Sequence, residues 1–131
     1  MRSKSSAAAA LAVAIGLFAG AAFAGANDYA FEPVAAEMKK GNGVTVALRL
    51  VHKPTGKPVS GAVVFQTRID MAPDGMADMA SPVAPLPASD PGVYAFKTNL
   101  PEAGRYLFSI SAKVPGEAET VTGKVILKAV K

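Results

Sequence analysis

An all-β fold, an antiparallel immunoglobulin-like β-sandwich of about six to seven strands following an N-terminal signal peptide, is what three observations in this sequence predict. Apolar and polar residues alternate with period two in several short runs. Pro/Gly-rich turn signals separate these runs at intervals of about 8–12 residues. No window beyond the first two dozen residues carries a sustained i, i+3, i+4 apolar pattern. The chain has neither cysteine nor tryptophan. The likeness to an immunoglobulin domain is therefore one of architecture, without the Cys…Trp…Cys hallmark, and a small Greek-key barrel is the alternative.

The N-terminal segment is read first, because it sets the boundaries. Met1 to Lys4 is a short basic stretch, Ala7 to Phe18 is apolar, and Ala22-Phe23-Ala24 is an A-x-A cleavage site. Residues 1–24 are thus expected to be a signal peptide, and residues 25–131 a single domain beginning at Gly25. The apolar run is shorter than the roughly 20 residues of a membrane span. No membrane insertion is expected after cleavage, and the protein is expected to be periplasmic or secreted. Loss of Arg2 and Lys4 lowers the net charge from +4 to +2. That argues against nucleic acid as a partner.

Tyr29 to Gly43 reads as an edge strand interrupted by Pro33 and ending in a Lys-Gly-Asn-Gly turn. In VTVALRLV the residues Val44, Val46, Leu48 and Leu50 share one face. His52 to Gly61, dense in Pro and Gly, is a long connection. AVVFQTRID is a strand with Val63, Phe65, Thr67 and Ile69 on one face. Pro82, Pro85, Pro87 and Pro91 then forbid a helix and favour extended backbone. The last third is more regular. Tyr94 and Phe96 share a face, and Tyr106, Phe108, Ile110 and Ala112 alternate against Leu107, Ser109, Ser111 and Lys113. Val121, Val125 and Leu127 face inward on the final strand, with Thr122, Lys124 and Lys128 outward.

An enzyme is not expected. The single histidine, His52, stands beside Lys53-Pro54 with no G-x-S-x-G elbow in the chain, and one histidine without cysteine does not make a zinc site. No Gly-rich phosphate loop opens a helix. What stands out is DMAPDGMADM, Asp70 to Met79, which places Met71, Met76 and Met79 in a turn among carboxylates. Thioether sulfur is a soft, neutral donor that selects Cu(I) or Ag(I). The Pro73-Asp74-Gly75 turn can fold Met71 back toward Met76 and Met79. His52 is a fourth candidate ligand if its strand end lies at the same pole. Two other readings stand beside this one: the methionines plug an open end of the sandwich, or Asp70, Asp74 and Asp78 hold a hard ion, although the D-x-[DN]-x-[DN]-G pattern is missing.

Four segments together resemble the YtkA-like/FixH-like family of small exported domains. They are TGKPVSGAVV (Thr55 to Val64), the methionine loop, PGVYAF (Pro91 to Phe96) and AGRYLFSISAKVPGEAETVTGKV (Ala103 to Val125). The resemblance implies an immunoglobulin-like sandwich. It also implies an association with copper/silver RND efflux systems, with their adaptor or pump subunits as partners. The family's methionine loop falls on Met71, Met76 and Met79, with Asp74 inserted relative to an MPGM-like run. The alternative is an interaction module without metal, docking by a sheet edge and an apolar methionine loop.

Overall fold

The computed structural model describes residues 25–87 and 90–131. The signal-peptide expectation for residues 1–24 lies outside the described residues. Among those residues there are ten strands and two short 3₁₀ turns, Ala26–Asp28 and Ala72–Asp74. In chain order the strands are β1 (Tyr29–Pro33), β2 (Glu37–Lys39), β3 (Gly41–His52), β4 (Lys57–Pro58) and β5 (Val63–Met71). They continue with β6 (Met76–Ser81), β7 (Val83–Leu86), β8 (Val93–Leu100), β9 (Gly104–Lys113) and β10 (Val121–Val130). One sheet runs β1-β3-β8-β7, with β4 added to the end of β3; the other runs β2-β10-β9-β5-β6. All pairs are antiparallel except β2 with β10. Each sheet interleaves early and late strands, which is the Greek-key order of an immunoglobulin sandwich.

The strands outnumber the six or seven expected because two stretches cross between the sheets. From Pro33 the chain leaves β3 and reaches β10 within a few residues. The crossing is tied at both ends, by Val34 N–H to the Ala47 carbonyl at 3.0 Å and by Lys128 N–H to the Ala36 carbonyl at 2.8 Å. Pro82 makes the second crossing, from β6 to β7. Its carbonyl accepts the Thr98 hydroxyl at 2.7 Å, which satisfies a polar side chain buried in the core. Proline lacks the N–H that a ladder needs, so both crossings fall where pairing has to stop.

The two inner faces meet as the alternation predicts. Val46, Leu48 and Leu50 of β3 pack with Tyr106, Phe108, Ile110 and Ala112 of β9 and Val121, Val125 and Leu127 of β10. Phe96 and Phe108 lie edge to face across the sheets, with ring centroids 5.2 Å apart. Phe31 of β1 occupies the place where Gly123 of β10 would carry a side chain; a Cβ there would stand 2.7 Å from the Phe31 ring.

One expectation fails on β5. Val63 and Phe65 are exposed, at 63% and 53%, while Ile69 is buried. Val64 pairs with Ala112 and Gln66 with Ser111, so Phe65 is the extra residue of a β-bulge. The bulge reverses the alternation: Val64 turns toward the core before it, and Thr67 and Ile69 keep the predicted face after it.

The β8–β9 turn is fixed by a tyrosine corner. The Tyr106 hydroxyl donates to the Glu102 carbonyl at 2.8 Å and accepts the Glu102 N–H at 3.1 Å. This pins the start of β9 and so positions its neighbours, Gly104 and Arg105.

The burial pattern gives a direct test. Phe108→Ala is expected to cost about 3–5 kcal/mol, as deletion of a buried aromatic does. Leu107→Ala, on the outer face, should cost well under half as much in urea unfolding. Equal losses would contradict the assignment of faces.

Candidate functional site

The methionine hairpin sits at the pole that carries the β8–β9 turn. β5 ends at Met71, the turn Ala72–Asp74 follows with Pro73 in its first positions, and Gly75 closes it in the left-handed conformation at φ 79°. Met76 then begins β6 directly opposite Met71. The next pair is Asp70 with Ala80, so Ala77, Asp78 and Met79 bulge out of the ladder with no residue of β5 opposite them.

Two arginines hold this irregular segment. Arg68 Nη2 donates to the Ala77 carbonyl at 2.9 Å, and Arg68 Nε donates to Asp70 Oδ2 at 2.8 Å. Asp70 is buried, and its other oxygen accepts the Ala72 N–H at 2.9 Å. On the far side of the turn, Asp74 Oδ2 accepts the Arg105 N–H and Asp74 Oδ1 accepts Arg105 Nε, both at 2.9 Å. Arg105 Nη2 also reaches the Pro73 carbonyl at 2.7 Å. These contacts need Gly104. A Cβ there would lie 2.5 Å from Asp74 Oδ2 and 2.8 Å from Met71 Cε, at a φ of +150° that disfavours side chains. The Arg105 backbone N–H, then its guanidinium, hold the Asp74 carboxyl below its ordinary value of 3.8.

The structure divides the predicted ligand set. Met71 is only 1% exposed and belongs to the core, whereas Met76 and Met79 are 40% and 42% exposed. The plug reading therefore describes Met71, and the open-thioether reading is left with Met76 and Met79. His52 is not brought to them. Gly41 of β3 stands opposite Leu100 of β8, and Arg49 opposite Val93, so His52 lies at the pole where β8 begins. The hairpin packs where β8 ends. His52 Nδ1 pairs instead with Thr55 Oγ1 at 2.9 Å, and its ring lies 5.2 Å from that of Tyr29. The Tyr29 hydroxyl donates to Glu117 Oε2 at 2.7 Å. That bond, with burial and the nearby charge, pushes the phenol up to about 12. Asp70 and Asp74 are engaged by arginine, which removes two of the three groups proposed for a hard ion. Among the described residues no three His, Cys, Asp or Glu side chains gather into a cation-holding group. A cleft of about 590 Å³ opens between the sheets by Pro85, Tyr94 and Phe96, away from the hairpin. The Tyr94 hydroxyl there is committed to Ala62 N–H and the Val59 carbonyl.

Arg68 and Arg105, which anchor the hairpin, are not singled out in the sequence. The Arg68-x-Asp70 spacing, with both residues on one strand face, was the available signal. The Asp74–Arg105 pair spans 31 positions and had none.

Fold and hairpin together define an immunoglobulin-topology sandwich that presents two open thioethers on a clamped edge hairpin. A family model described as YtkA-like matches residues 23–111, more than half of the chain, and the chain belongs to that family. The match runs into β9 and stops at residue 111, short of the end of that strand and of β10. Among curated proteins no match is found.

The depressed Asp74 value fixes the sign of an acid effect. Its contribution to stability is complete above the ordinary carboxylate value and falls away as the pH drops through the folded-state value. Urea unfolding of the parent is expected to weaken more steeply than that of Asp74→Asn once the pH falls below about 4. Parallel pH curves for the two proteins would contradict the clamp.

Proposed function

We propose that this protein is a non-enzymatic accessory of an exported compartment that binds a soft monovalent ion, Cu(I) or Ag(I), through Met76 and Met79, in connection with heavy-metal efflux. The observation that carries the reading is the exposure of these two thioethers on a hairpin that is otherwise held rigidly. Methionine normally fills cores, as Met71 does here. Two of them left open, three residues apart and beside the exposed Asp78, need another explanation. The donor set fits: thioethers suit soft ions, and they need no deprotonation. Two sulfurs leave a bound ion short of ligands. The remaining donors are proposed to come from a partner, such as an efflux adaptor or pump subunit, which suits transfer of the ion better than storage. Export is supported by the order of basic, apolar and A-x-A segments in residues 1–24. Among the described residues no helix is long and apolar enough to cross a membrane. The non-enzymatic reading rests on the inventory: the one histidine is paired with Thr55 and lies against the Tyr29 ring, and the sequence has no G-x-S-x-G elbow.

A second reading has an observation of its own. β6 covers β5 only at Ile69, Asp70 and Met71, while exposed Val63 and Phe65 lie on the uncovered half of the same strand. That arrangement suits docking to a transport or assembly partner by strand addition, with the methionines as apolar contacts.

A Cu(I) titration against a competing chelator separates the two. The parent is expected to bind, and Met76→Leu/Met79→Leu is expected to lose at least about tenfold in affinity while staying folded. Met71→Leu should keep the binding. Parent binding should persist near pH 5, where a histidine site would weaken. Absence of binding by the parent, or undiminished binding by the double variant, would leave only the docking reading.

A further inference from the structure

At the pole opposite the hairpin, the first described residues are held by two carboxylates, one local and one from a distant part of the chain. Gly25 N–H donates to Asp28 Oδ2 at 3.1 Å. Ala26 N–H donates to Glu119 Oε1 at 3.2 Å, across 93 positions. The same Glu119 oxygen lies 3.2 Å from where a Cβ on Gly25 would stand, so it faces Gly25 closely. The turn Ala26–Asp28 is tied down further by Lys53 N–H to the Asp28 carbonyl at 2.7 Å. The nitrogen in this cradle is the one that cleavage after Ala22-Phe23-Ala24 would release.

We propose that Asp28 and Glu119 form the docking site of the α-ammonium group created on Gly25 by processing, so that the mature chain carries an ion pair that the precursor lacks. The proposal rests on the export reading. Hydrolysis breaks the Ala24–Gly25 amide: water supplies the hydroxyl that leaves Ala24 as a carboxylate and a proton to the Gly25 nitrogen, which is protonated again from solvent near neutral pH. A nitrogen with one N–H, already committed to Asp28, becomes a cation with three donors. The second donor can turn to Glu119, and charge replaces a neutral hydrogen bond on both contacts. The other charged groups around the site are Glu117, which holds the Tyr29 hydroxyl, and Lys53 and His52 at the end of β3. They leave the surroundings of the amine acidic on balance. A residue that is an unremarkable cap in the precursor thereby becomes a tether between the chain start and the β9–β10 connection.

The test uses the exported protein as recovered from cells, its first residue read by intact mass. Its unmodified amine is then titrated by NMR through the Gly25 Cα and Hα shifts of uniformly ¹³C-labelled protein. The α-amine is expected to titrate about one pH unit higher in the parent than in Asp28→Asn/Glu119→Gln, whose amides keep the backbone hydrogen bonds without the charge. Between about pH 7 and 9.5, below the range where Tyr29 ionises, the urea midpoint of the parent should fall as the amine loses its proton. That of the double variant should stay level. A chain that begins at Gly25 and whose amine titrates alike in both proteins overturns the docking site alone. A recovered chain that begins elsewhere overturns the export reading and this proposal with it.

Discussion

Two sheets face each other in this domain with no disulfide between them, so the sandwich depends on side-chain interlock. The chain has no cysteine, and aromatic packing ties the two inner faces together. Phe96 meets Phe108 edge to face, and Phe31 enters the space that Gly123 leaves open. Such packing is intolerant of volume changes in either direction. The polar groups taken into it are each satisfied: Thr98 by the Pro82 carbonyl, Tyr106 by both backbone groups of Glu102.

The same packing reaches the candidate site through one residue. Met71 ends β5 inside the core, and its methyl lies against Gly104 at the start of β9. Gly104 stands between the tyrosine corner and Arg105, whose guanidinium grips Asp74 and the Pro73 carbonyl. Core, corner and clamp are therefore continuous. The hairpin leaves this anchored base and carries Met76 and Met79 outward. The exposed Asp74–Arg105 pair adds little energy by itself. Its effect is geometric, since it sets where the turn can go and keeps Met71 inside while its two neighbours in the loop stay outside.

How far the sequence could be read follows from how local each signal was. The faces of β3, β9 and β10 were legible because period-two alternation over eight or more residues admits only one inward set. β5 misled at Val63 and Phe65, because a bulge moves one residue out of phase without leaving a mark in composition. The stretches around Pro33 and Pro82 showed where pairing stops but not that the chain changes sheets there; after Pro33 the sheet it joins is fixed by β10, far along the chain. YtkA-like membership was legible from short segments in combination. For the site, the methionine cluster was visible, but its division was not. Whether a loop methionine faces in or out depends on Gly104 and Arg105, 25 to 34 positions away. His52 is a candidate beside the methionines only while its pole is unknown, and the antiparallel register of β3 with β8 supplies that pole.

The division of the methionines into one buried and two open thioethers is the central claim, and the sulfurs can be questioned one by one. Brief exposure of the folded protein to dilute hydrogen peroxide, followed by peptide mass spectrometry, gives an oxidation rate for each methionine. Met76 and Met79 are expected to convert to the sulfoxide at rates near those of a free peptide. Met71, at 1% exposure, should lag by at least about tenfold until the protein is unfolded. Oxidation of Met71 in step with the other two would place all three sulfurs in solvent and contradict the account.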